Sequence, residues 1–134
     1  MDGNKWSFKI ELTDKKVFDK YEKQFGIIIP QDMRQFIIEN NAANPSLNLV
    51  MLDGIERVLD SVLSFNEKED DAVTFAQIFR TLKNVNNIPF AMDPFGNVFC
   101  YNTIDNVVVF YNHEVNRFER TNMGFKKFIS SLHA

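Results

Sequence analysis

The chain has 134 residues, a formal net charge of −3, 45% hydrophobic and 25% charged residues, proportions that suit one domain over 1–134 with a sizeable core and exclude a disordered chain. A lone cysteine cannot form an internal disulfide, and the acidic balance argues against direct nucleic-acid binding. The charged start MDGNKWSFKIEL has no apolar signal segment and no apolar run is long enough to cross a bilayer, so no membrane contact and a cytoplasmic location are expected.

Fourteen Phe are the unusual count. Phe buries a large apolar area at little side-chain entropy cost, so packing is the expected role of nearly all of them. Trp6, Phe8, Ile10 and Leu12 alternate with polar neighbours, which predicts a half-buried strand or else a loose arm. Over 14–25, Val17, Phe18, Tyr21 and Phe25 fall on one helical face and Gly26 follows as a C-cap. Pro30 suits the first position of a second helix with the stripe Met33, Phe36 and Ile37, ending at Asn40-Asn41. Residues 47–52 and 55–65 read as two strands joined by the hairpin signal Asp53-Gly54. A charged loop over 67–71 places Asp71 to cap a third helix, in which Ala72, Phe75, Ala76, Phe79 and Leu82 recur at helical spacing.

Residues 87–113 are three apolar runs cut by Asp93-Pro94-Phe95-Gly96-Asn97 and Thr103-Ile104-Asp105-Asn106, the pattern of a three-stranded antiparallel meander. In the first turn Pro94 pre-sets its φ, Asp93 can accept from backbone N–H groups ahead of it, and Gly96 can take a positive φ. Phe125, Phe128, Ile129 and Leu132 then predict a closing helix, with Thr121, Asn122 and Gly124 available as caps. The sum is an α+β fold: an antiparallel sheet with a central meander, packed by about four helices.

For chemistry, Cys100 with His113 is the local thiol–base pair, but Cys100 lies between Phe99 and Tyr101 in a strand, where a free Cys acts as a small hydrophobe. No metal-ligand spacing or phosphate loop occurs, and 93–97 is too short to wrap calcium, so no catalytic residue, metal or cofactor is expected. Between Asp53 and Asp71 stand seven acids and two bases, a local net of −5 that leaves +2 elsewhere. Such a cluster reads as ordinary solvated surface or as a landing site for a basic partner. Glu67, Glu69 and Asp70, with Asp93 and Asn97 of the first meander turn, are the expected partner-binding residues.

The segments IPFAMDPFGNVFCYN followed by VVVFYNHE, the front half FGIIIPQDMRQFIIENN, and the Gly-Phe-x-x-Phe start of the closing helix resemble the SUKH superfamily over about 17–132. That superfamily includes Smi/Knr-type cell-wall regulators and many bacterial immunity proteins. The chain departs from its pattern at Asn41-Ala42-Ala43, where Asn-Gly-Gly is usual, and at Gly124, where Ser is usual. Asn tolerates the left-handed region better than Ala, so the first departure predicts a slightly shifted turn. The resemblance implies an α+β fold and a non-catalytic protein that binds and neutralises a cognate toxin domain, often a nuclease, of a polymorphic toxin system. A protein-interaction or regulatory module without a toxin partner is the alternative that it also implies.

Overall fold

The computed structural model describes residues 3–134; Met1 and Asp2 of the charged N-terminal stretch lie outside them. The strand expected over 6–12 shrinks to β1 (Trp6–Ser7). Phe8 breaks the extended run with a φ of 60° and leaves its ring 82% exposed, while Trp6 packs edge-on against Phe36. Helix α1 (Val17–Phe25) starts after Asp14, whose carboxylate accepts the Lys16 N–H at 2.9 Å, and ends as expected at Gly26 with φ 67°. In α2 (Gln31–Asn40), Pro30 stands at the N-cap with ψ 151°, one position before the expected first turn.

The residue that turns left-handed after α2 is Ala42, at φ 62°. Asn41 is instead buried and extended: its amide donates to the Ile10 carbonyl and Ser64 Oγ, and its Oδ1 accepts the Phe65 N–H at 2.7 Å. Left-handed backbone costs Ala about 1–2 kcal/mol. Burying its methyl regains about 0.8 kcal/mol, which makes Ala tolerable here. The next short strand, β2 (Asn44–Pro45), pairs with β1.

β3 (Leu49–Leu52) and β4 (Ile55–Val58) form the expected hairpin, with Asp53 at φ 50° and Gly54 at φ 77° as a two-residue turn demands. The second strand does not run on to 65. The Leu59 N–H still reaches Asn48, but the Asp60 N–H bonds to Met92, so the chain changes partners there and β5 (Ser61–Val62) joins the main sheet. Helix α3 (Phe75–Leu82) begins at Thr74, not at Ala72, and Asp71 is not its cap. Thr74 has the extended backbone of an N-cap and exchanges side-chain hydrogen bonds with Gln77, a full capping box, whereas Asp71 is exposed three residues upstream.

The meander forms as expected from β6 (Asn87–Met92), β7 (Val98–Asn102) and β8 (Val107–Asn112). A fourth strand, β9 (Arg117–Arg120), continues it through a turn with Asn116 at φ 52°, giving a five-stranded sheet in the order β5-β6-β7-β8-β9. The chain closes with α4 (Phe125–Ser131), whose N-cap is Gly124; Thr121 instead bonds to Val108 and receives the Met123 N–H.

One face of the main sheet sends Ile88, Phe90, Phe99, Val108 and Phe110 into a core shared with the helices and with Val50 and Leu52 of the hairpin. The other face carries Val98, Cys100 and Val109, covered by Ile78 and Leu82 of α3 and by half-buried Tyr111 and Phe118. Arg57 pins the hairpin over the far edge: its guanidinium grips both Glu119 oxygens, at 3.0 and 2.8 Å, and lies 4.8 Å from the Phe110 ring centre. Of the fourteen Phe, only Phe8 and Phe95 are exposed.

Candidate partner-binding surface

The acidic loop that follows β5 is built rather than loose. Asn66 is its anchor: its Oδ1 accepts the Thr13 N–H at 2.9 Å and its amide donates to the Glu11 carbonyl and to Glu69. Glu69 turns inward, taking hydrogen bonds from Ser64 Oγ at 2.9 Å and Asn66 Nδ2 at 3.1 Å. Burial alone would raise its pKa, but the hydrogen bonds from Asn66, Ser64 and the Asp71 and Asp70 N–H groups hold it below the ordinary carboxylate value. Glu67 shares Lys20 with Asp14. Asp70 and Asp71 are the exposed acids of the loop that form no ion pair among the described residues.

These three expected site residues therefore differ in kind. Asp70 faces solvent, Glu67 does so in part, and Glu69 holds the loop shape. Glu69→Gln is expected to destabilise the fold by about 1 kcal/mol at neutral pH, because a charged acceptor becomes a neutral one. A depressed folded pKa gives stability that is present above the unfolded value and lost as pH falls through the folded one, so the difference from wild type should shrink in acid. Urea unfolding of both proteins across that range checks this; a constant difference would show that charge does not matter there.

Asp93 and Asn97 lie elsewhere. Ser61 faces Met92 beside their turn, and the antiparallel register then carries the chain away from it before the acidic loop begins. Both are buried, at 7% and 6% exposure, and their polar atoms are engaged within the turn. One Asp93 oxygen accepts the Phe95 and Asn97 N–H groups at 2.8 and 2.7 Å, and the other accepts the Asn97 amide at 2.8 Å. Asn97 Oδ1 in turn takes the His113 N–H at 3.0 Å, and His113 Nε2 sits 3.0 Å from the Phe95 carbonyl. The β6–β7 and β8–β9 turns are thus latched together, with Gly96 taking the left-handed φ of 88° that the first turn requires.

What this rigid corner presents is Phe95, 74% exposed. On one side of its ring lies an apolar groove of about 330 Å³ bordered by Ile78, Leu82, Val98 and Tyr111. On the other lies a depression of about 170 Å³ edged by Glu56 and Glu114. Exposed Val115 extends the apolar tip. Phe95 is the residue that reasoning from composition passes over, since packing is the expected role of Phe. The signal was its place between Pro94 and Gly96: a turn residue has no strand neighbour to pack on. Phe8 is also exposed but belongs to an arm paired over two residues, and so lacks this preorganisation.

Cys100 is fully buried on the second sheet face, where desolvation pushes its thiol far up from its ordinary value. His113 is occupied at the turn. No group of three or more His, Cys, Asp and Glu able to hold a metal ion occurs among the described residues, and no helix there is long and apolar enough to cross a membrane.

No curated protein matches this chain. The model of the SMI1 / KNR4 family (SUKH-1) matches residues 12–131, from buried Leu12 ahead of α1 to the end of α4. That span takes in both turns of the latched corner, the acidic loop and all four helices, and the chain belongs to the SMI1 / KNR4 family (SUKH-1).

Proposed function

We propose that this chain is a non-catalytic binding protein, an immunity protein that neutralises a toxin domain by one-to-one association. The observation that carries the reading is Phe95: a large aromatic side chain held out from a turn that the Asp93 and Asn97 side chains brace from within. A preorganised aromatic anchor flanked by an apolar groove is what protein interfaces concentrate their affinity on. Membership of the SUKH-1 family supports an interaction role. The buried Cys100 thiol and the engaged His113 favour binding over nucleophilic catalysis.

A nuclease domain must carry cations to hold phosphates, and Glu56 and Glu114 beside Phe95, with Asp70 and Asp71 on the loop, offer acids to such a surface. Purified chain mixed with the toxin domain encoded beside its gene should form a 1:1 complex and abolish toxin activity at equimolar ratio. Inhibition far below equimolar ratio would point to turnover and sink the binding reading. Asp70→Asn with Asp71→Asn should slow association at low salt and flatten its salt dependence, with little effect on dissociation, as rim charges do. Stopped-flow mixing reads both; an unchanged low-salt rate would remove the loop from the interface. Glu69 stays untouched in this test because its loss would loosen the loop.

A further inference from the structure

The C-terminal ends of α1 and α3 form a surface distinct from those above. Tyr21 meets Phe75 and Phe25 meets Phe79, with ring centroids 5.0 and 4.6 Å apart, so the helices run in the same direction and finish side by side at Gly26 and Lys83. Between them lies a depression of about 490 Å³ lined by Phe25, Phe79, Arg80, Lys83 and Val85. Its floor is apolar: Phe25 is half-buried and Val85 is 49% exposed. Its rim is cationic, with Arg80 5.4 Å over the Phe25 ring and Lys83 at the end of α3.

The chain has 18 acids and 15 bases, yet Arg80 and Lys83 form no ion pair among the described residues. Arg34, Arg57 and Arg120 each face a carboxylate. Helix C-termini favour nearby cations, which accounts for charge at this corner but not for the apolar floor between the charges.

We propose that this corner docks an acidic segment of a partner protein, one with an apolar side chain set between carboxylates. The apolar side chain fills the depression over Phe25 and Val85, and the carboxylates meet Arg80 and Lys83, the guanidinium being suited to a two-pronged grip. A nucleic-acid strand fits the site poorly, because it needs ring faces open for stacking and a run of cations along its backbone. Here Phe79 is 5% exposed and the Phe25 ring lies under Arg80. A second copy also fits poorly: the acidic loop lies at the other end of α1, where Glu67 meets Lys20, and Asp70 and Asp71, exposed on it, are adjacent with no apolar side chain between them.

A phage-displayed library of short random peptides, panned on the wild-type chain and counter-panned on the Arg80→Glu, Lys83→Glu variant, tests the proposal. Both side chains are exposed, so the variant should stay folded, with a small drop in melting temperature from the lost helix-end cations and the lost Arg80–Phe25 contact. Recovered peptides should carry an apolar residue between acids, weaken as salt rises, and lose about tenfold or more in affinity on the charge-reversed variant. Val85→Ser, which keeps both cations, should weaken them as well. A library that yields no such peptides, or peptides indifferent to both variants, would overturn the proposal. So would a wild-type chain whose concentration-dependent self-association vanishes on charge reversal, since that assigns the corner to a second copy.

Discussion

Phe128→Ala should destabilise the fold by about 3–5 kcal/mol, a large share of the stability of a chain this size. The ring is fully buried and meets Phe90 and Phe99 of the main sheet at 6.0 and 5.4 Å between centroids. Phe125, on the same stripe, meets Phe90 and Phe36, so α4 locks the sheet to α2 through one aromatic cluster. Removing the central ring loses its transfer free energy and leaves a cavity walled by sheet residues that cannot move inward without breaking strand pairing. Equilibrium urea unfolding measures the loss. A value below about 1 kcal/mol would mean that α4 is peripheral to the core.

The second large effect concerns binding. Phe95→Ala should weaken the proposed complex with a toxin domain by about 2 kcal/mol or more, roughly 30-fold, while leaving stability nearly unchanged because the ring is exposed in the free protein. The loss should appear chiefly in the dissociation rate, as for most interface truncations, in contrast to the association effect expected for Asp70 and Asp71. Surface-bound toxin domain and varied chain concentration separate the two rates. A change of less than about threefold would remove Phe95 from the interface and take the main support from the binding-site assignment. Asp93→Ala would be a poor substitute: it strips three hydrogen bonds from the turn and would mix stability with affinity.

The contrast between these two Phe residues shows how far local pattern reaches. Phe128 belongs to a helical stripe, and its burial follows from the spacing of Phe125, Phe128 and Leu132. Phe95 sits in a turn, where the sequence shows the Pro and Gly that make the turn but not what stands around it. The groove beside it is assembled from α3, β7 and β8, brought together by sheet pairing. Cap assignment failed for a similar reason. Asp71 and Thr74 are both good cap residues in isolation, and Ser64, just after β5, fixes which of them begins α3: its N–H donates to the Val73 carbonyl and its carbonyl accepts the Phe75 N–H.

By itself the sequence determined the α+β class, the four helices within a few residues, the Asp53-Gly54 hairpin and the three-stranded meander. Those features rest on local physics: side-chain period, left-handed residues in turns, and the loss of helix at Gly and Pro. Only the tertiary structure decided that 55–65 divides between two sheets, that Arg117–Arg120 is a strand although it has a single apolar residue, and that Asp93, Asn97 and Glu69 turn their polar atoms inward. Each of these depends on partners far along the chain. A backbone N–H takes whichever distant carbonyl the packed core brings to it, and a short polar side chain faces solvent or protein according to which unpaired group lies in reach.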